Sequence, residues 1–153
     1  MRIERGMKVL LDTNVLLEAT DEGRKFHNQA LGIFQNAVAT GVELFLATQV
    51  IREYLVVVTR PVANNGLGME TASALDNISQ FRRRASLIAE TIQAGELFLV
   101  WATRYGISGK RLHDLQLLAS ASAAGLDGVL TANEADFPET GSIKILPMGD
   151  LEW

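Results

Sequence analysis

Apolar positions along the chain alternate between two spacings. Short continuous runs occur at Lys8-Val9-Leu10-Leu11, Glu43 to Ala47, Val129-Leu130-Thr131 and Ile143 to Leu146. Their length and bounding turn residues suit buried strands. Between them, apolar residues recur every three or four positions. Phe26, Ala30, Ile33, Phe34, Ala37 and Val38 form one such stripe, and Gly41 marks its stop. Val50, Ile51, Tyr54, Leu55 and Val58 form another, in a helix opened by Thr48 and ended by Pro61. The segment Val62 to Met69 carries Asn64-Asn65-Gly66 and Gly68 and reads as a loop; no Gly-Lys-Ser/Thr follows, so it is not a phosphate loop. Helical spacing resumes over Glu70 to Gln80, a short strand is predicted at Phe81 to Arg84, and a longer helix from about Ser86 to Arg104. Ser108 is placed as the cap of a last helix, running through Leu112, Leu115, Leu118 and Ala119 to Gly125. Alternating strands and helices predict an α/β fold, with a mainly parallel sheet of four to five short strands flanked by helices. No repeat, linker or break in composition divides the 153 residues, so they read as one domain with residues 1–6 as a short N-terminal extension.

Composition narrows the chemistry. The apolar fraction of 48% supports a core without staples. The chain has no Cys, which excludes disulfides, thiolate metal sites and a cysteine nucleophile, and its 2 His argue against a multi-histidine zinc site. A net charge of -4 argues against holding polyanions by bulk positive charge, though not against a nuclease whose own site is acidic. The start, MRIERGM, does not read as a secretory signal, and no apolar run approaches the roughly 20 residues needed to cross a bilayer. A soluble cytoplasmic protein is expected.

Three predicted strands deliver polar groups at their C-terminal ends, the edge where open parallel sheets place their sites. Asp12 follows the first. Thr48, and a little over a turn later Glu53, follow the second. Asn133 and Asp136 follow the strand at Val129 to Thr131. Asp114 lies near the start of a helix that is apolar or small on every face past Gln116, where a carboxylate is costly unless paired, protonated or bound to a cation. Taken singly, Asp12 reads equally well as a turn residue, Asp136 reads as a plain turn residue, and Glu53 reads better as part of a solvated face or an ion pair with a neighbouring turn; Asn14 is available to cap the helix after Asp12, which leaves Asp12 unnecessary as a cap. Taken together, four convergent carboxylates make a poor structural element. Two unit charges about 4 Å apart repel by about 4 kcal/mol at an effective dielectric of 20. A hard divalent cation such as Mg²⁺ removes the conflict and keeps waters of its own. Setting these four acids aside leaves acidic and basic side chains equal in number, so the net charge of -4 equals that of the proposed site.

The stretches Leu11-Asp12-Thr13-Asn14, Arg52-Glu53-Tyr54, Ser108-Gly109-Lys110 with His113-Asp114, and Thr131 to Phe137 occur in the order found in PIN-domain ribonucleases, and the chain resembles the VapC-type toxins of VapBC toxin–antitoxin pairs. Leu115 departs from the pattern, since many relatives carry a small residue after the His-Asp pair. The resemblance implies a three-layer PIN-like fold and a metal-binding cluster of Asp12, Glu53, Asp114 and Asp136, supported by hydrogen bonds from Thr13 and Asn133. It implies Mg²⁺ or Mn²⁺ as cofactor, RNA as substrate and cleavage that leaves a 5′-phosphate. It also implies a homodimer and a cognate antitoxin laid over the acidic cleft.

Basic residues for an RNA backbone are expected at Lys110, Arg111 and Arg52; Arg82-Arg83-Arg84 reads as a solvated face. His113 is expected to pack beside the site, because consecutive helical residues point about 100° apart. The apolar run Leu97 to Trp101 reads either as a well-buried helix or as part of an interface. Two other functions stay open on sequence: a catalytically silent PIN-like RNA-binding or regulatory module, and a phosphatase with an aspartate nucleophile. The second lacks the further Asp expected two positions after Asp12, where Asn14 stands.

Overall fold

A computed structural model of the chain describes residues 3–153. Five strands form one sheet: β1 (Lys8–Leu11), β2 (Glu43–Leu46), β3 (Ala85–Leu87), β4 (Gly128–Thr131) and β5 (Lys144–Pro147). Six α-helices connect or flank them: α1 (Thr13–Thr20), α2 (His27–Thr40), α3 (Thr48–Thr59), α4 (Thr71–Arg82), α5 (Ile92–Tyr105) and α6 (Arg111–Ala123). All four strand pairings are parallel, in the order β3-β2-β1-β4-β5. The α/β expectation therefore holds, at the upper end of the strand count.

Strand β1 sits at the centre, with Leu10 opposite Phe45 of β2 on one side and Val129 of β4 on the other. Val9, Leu10 and Leu11, and all four residues of β4, are buried, which explains why these strands read as unbroken apolar runs. Helix α1 packs against both α2 and α3, and α3 against α4, while α5 and α6 form a tight pair with α6 against β4. Ile3, within the predicted N-terminal extension, is buried in the core, and its N–H bonds the Glu152 carbonyl at 3.0 Å.

The order of strands locates the site. The chain steps outward from β1 through β2 to β3, then crosses to the opposite side of β1 for β4 and β5. The order thus reverses between β1 and β4, and the crevice beyond the C-terminal ends of those two strands is where open α/β sheets bind ligands. Asp12 and Thr131 stand there, tied by the Asp12 N–H to the Leu130 carbonyl at 2.9 Å.

Local expectations hold for the four apolar strand runs and for α2 and α3, and fail around β3 and at the starts of α5 and α6. Helix α2 stops at Gly41, which takes a left-handed φ of 69°. The strand expected over Phe81 to Arg84 lies instead at Ala85–Leu87, where Phe45 faces Ser86. Phe81 belongs to α4, and its ring packs 5.3 Å from Phe34 and 5.7 Å from Tyr54, so its hydrophobicity serves a helix face. Helix α5 consequently begins at Ile92 rather than near Ser86, with the Thr91 hydroxyl accepting from the Ala94 N–H. Ser108 does not cap α6: the cap position is Lys110, with no side-chain cap bond. In the loop after α3, Gly66 passes so close to Arg60 that a Cβ would overlap the Arg60 carbonyl, a requirement for glycine independent of phosphate binding.

Candidate active site

Asp12 is the innermost group of the site and is only 7% exposed. Contrary to expectation, it is the N-cap of α1, accepting from the Thr13 N–H at 2.7 Å through Oδ1. Asn14, expected as that cap, lies inside α1 and turns sideways. Its amide donates to Asp12 Oδ2 and to Thr131 Oγ1, each at 3.2 Å, and its oxygen accepts from the Ala132 N–H at 3.0 Å. The Thr131 hydroxyl donates to Asp12 Oδ2 at 2.8 Å and accepts from the Asn133 N–H at 3.0 Å. Asp12 is thus fixed from both strands of the switch point. Burial pushes its carboxyl above the ordinary range, and the Glu53 charge adds to this, against the lowering effect of bonds from Thr131, Thr13 and Asn14.

Glu53 comes from α3. Thr13 donates its hydroxyl to Glu53 Oε2 at 2.7 Å, and Gln49 donates its amide to Glu53 Oε1 at 3.0 Å. Asp114 comes from the first turn of α6. Desolvation, followed by the charges of Asp12, Asp136 and Glu53, raises it to about 7, with only Arg111 pulling the other way. No hydrogen bond is among these influences. Asp136 is exposed, in a short 3₁₀ turn over Glu134–Asp136, and the Arg111 Nε–H donates to its carbonyl at 3.3 Å.

Asp12, Glu53, Asp114 and Asp136 therefore lie within electrostatic reach of one another, although among the described residues no three carboxylate or imidazole groups close into a ready-made chelate. Asp12 and Glu53 are hydrogen-bonded in place, whereas no hydrogen bond is among the influences on Asp114. Every carboxylate of the cluster offers oxygen alone, a donor set that suits a hard divalent cation, which retains waters and so needs few direct protein ligands. The mutual repulsion raising Asp114 is the conflict that such a cation relieves.

Asn133 reaches the cluster through its backbone N–H; the side-chain amide bonded to Asp12 is that of Asn14. Lys110 and Arg52 are exposed, and among the described residues neither side chain has a hydrogen bond or ion pair. Arg111 is held against the Asp136 turn. The His113 ring is 73% exposed, with Nδ1 4.0 Å from Glu53 Oε1. Leu115 is fully buried in the core, which accounts for a bulky residue after Asp114. Sequence reasoning missed Gln49, Asn14 and Thr131 as site residues. A signal existed for Gln49, one helical turn before Glu53 on the same face.

No curated protein matches the chain. Among solved structures it is similar to the VapBC2 complex of Rickettsia felis bound to a promoter DNA fragment, at 16% identity and a TM-score of 0.66, over 92% of this chain and 98% of that one. It is also similar to VapBC-1 of nontypeable Haemophilus influenzae, at 14% identity and a TM-score of 0.67, over 94% of this chain and all of that one (100%). A third relative is VapC20 of Mycobacterium tuberculosis, a sarcin-ricin loop cleaving toxin, at 12% identity and a TM-score of 0.60, over 79% of this chain and 86% of that one. These likenesses concern the fold. The family model of the PIN domain matches residues 9–142, a span that takes in every acid of the cluster, and the chain belongs to the PIN-domain family.

Proposed function

We propose that this PIN-domain chain is a metal-dependent ribonuclease that hydrolyses RNA phosphodiester bonds, and that it serves as the toxin of a toxin–antitoxin pair. The observation that carries the reading is a buried aspartate, Asp12, bonded into the switch point of a parallel sheet, beside Asp114, which feels the charges of Asp12, Asp136 and Glu53. Asp12, Glu53 and Asp114 are the residues to hold Mg²⁺ or Mn²⁺, with Asp136 completing the set. When bound, such an ion acidifies an attacking water and offsets charge on the phosphate. The chain's own residues do the rest. Thr13, Asn14 and Thr131 orient Asp12, burial keeps bulk water from it, and Lys110 and Arg52 offer unpaired cations to the RNA backbone.

The toxin role is supported by the neighbours: two were solved as VapBC assemblies, and VapC20 is a cleaving toxin. An antitoxin that places a guanidinium on the cluster would exclude cation and substrate together, through a charge-assisted fork. A homodimer is supported by the exposed Ile92, Leu99 and Val100 of α5, although Trp101 of the same run is buried. Among the described residues no helix is long and apolar enough to cross a membrane, which suits work on cytoplasmic RNA. The aspartate-nucleophile phosphatase is disfavoured because Asn14, whose amide donates to Asp12 Oδ2, stands where that reading needs a second Asp.

The test is RNA cleavage by purified protein with Mg²⁺. Asp12→Asn and Asp114→Asn are each expected to abolish it. Undiminished cleavage by either variant overturns the assignment. Expression with and without the product of the neighbouring gene tests the toxin role: growth arrest with one discrete RNA cut, relieved by co-expression, is expected.

A further inference from the structure

We propose that Gln49 is a positioning residue that sets Glu53 and the start of α6, and so Asp114, at a fixed separation across the acidic cleft. This inference rests on the metal-nuclease reading of the site. Gln49 lies in the first turn of α3 and is 5% exposed. Its side-chain nitrogen donates to Glu53 Oε1 at 3.0 Å and to the His113 carbonyl at 2.9 Å. A primary amide has two N–H donors on one planar nitrogen, and both are spent here. The result is a stiff fork with one tine on a cluster acid and the other on the residue preceding Asp114.

The other contacts of Glu53 do not do this. Thr13 reaches Oε2 from α1, on the Asp12 side of the cleft. His113 Nδ1 stands 4.0 Å away, beyond hydrogen-bond range, on a solvent-exposed ring. The Gln49 fork is therefore the hydrogen-bonded link, among the described residues, between α3 and the first turn of α6. Asp114 takes no hydrogen bond among the influences on it, so its placement follows the backbone that carries it. Groups that orient ligands from behind typically cost 10–100-fold in metal affinity or activity when removed.

The test uses Gln49→Met, which keeps the length and flexibility of the side chain and removes both donors. Mn²⁺ affinity is measured by calorimetry per folded molecule, with the folded fraction taken from circular dichroism. Steady-state kinetics on RNA are measured alongside. At least a tenfold loss of Mn²⁺ affinity is expected, with a comparable fall in kcat and KM for RNA unchanged within about twofold. A purely structural glutamine would instead lower the folded fraction and leave the affinity of the folded protein intact, and that result overturns the proposal while leaving the nuclease reading standing. Should Gln49→Met not fold, Gln49→Asn decides. One methylene shorter, it retains an amide that does not span both acceptors; an unchanged Mn²⁺ affinity there overturns the proposal. A native protein whose Mn²⁺ binding is absent, or is untouched by Asp12→Asn, overturns the nuclease reading and this inference with it.

Discussion

Replacing Asp114 by asparagine removes a charge that the folded chain disfavours. The carboxyl rises from 3.8 to about 7 through desolvation and the neighbouring charges of Asp12, Asp136 and Glu53. A folded value above the unfolded one means that the native state binds more protons between those two pH values, so metal-free stability falls as pH rises from about 4 through about 7. At about 1.36 kcal/mol per pH unit the shift is worth at most about 4 kcal/mol. Asp114 is partly exposed and solvent screens its neighbours, which reduces the figure to about 1–2 kcal/mol. For a chain of this size, that corresponds to a melting temperature about 2–8 °C higher for Asp114→Asn in EDTA at pH 8. Near pH 4 the native carboxyl is itself protonated, and the two proteins are expected to converge. Asp12, raised in the same direction, adds a slope of the same sign in both proteins, and its coupling to Asp114 makes that slope shallower in the variant. Differential scanning calorimetry in EDTA across this range provides the measurement. Adding Mn²⁺ should then stabilise the native protein by mass action and leave the variant nearly unmoved. A variant less stable than the native protein in EDTA at pH 8 refutes the reasoning, because it would mean that the carboxylate is bonded rather than strained.

Thr131→Val preserves shape but removes the hydroxyl that donates to Asp12 and accepts from Asn133; a loss of about 1–3 kcal/mol is expected by denaturant titration, with the acid limb of the rate profile moved to higher pH because the Thr131 bond lowers Asp12. Tyr54→Phe is the structural control. It breaks the buried contacts of the phenol with Thr20 at 2.8 Å and Asn77 at 3.0 Å, so about 1–2 kcal/mol of stability should vanish while cleavage per folded molecule stays unchanged. Lys110→Gln should lower the salt-dependence slope of RNA binding by about 0.7, as loss of one phosphate contact predicts, with kcat preserved. Arg111→Gln should lower kcat as well, because it also releases the Asp136 turn.

The fold was legible wherever an element was long enough for its spacing to repeat, or buried enough to be continuous. Strands β1 and β4 are covered on both faces, and both appear as apolar runs. Strand β3 has three residues with two exposed, so its signal was weaker than that of Phe81 next to it, whose ring belongs to the Phe34–Phe81–Tyr54 cluster. No local pattern announces that Ala85 will pair with Leu44, because the two residues are far apart in sequence and meet only through the fold. The start of α6 failed for a related reason. Ser108 has the right chemistry for a cap, but the left-handed Gly109 at φ 65° carries the chain onward before the helix begins at Arg111.

Of the candidate acids, Asp114 was legible by itself because a carboxylate on a buried helix conflicts with its surroundings, while Asp12, Glu53 and Asp136 were legible only as a convergent set in the family's order. Their supports were not, because Asn14, Gln49 and Thr131 satisfy their surroundings and so leave no conflict to read. Asn14 illustrates the ambiguity: its residue type fits a helix cap, and only the approach of β4 to β1 gives its amide the two partners it has. The same contrast divides the site physically. Asp12 is held by three donors, two from the first turn of α1 and one from β4, whereas Asp114 is raised by desolvation and charge with no hydrogen bond among the influences on it. A cluster built in this way has one geometry-defining acid and a set of outer acids whose mutual repulsion favours capture of a cation. The stability forgone at Asp114 is thus the expected counterpart of metal affinity, and the two quantities should move in opposite directions in Asp114→Asn.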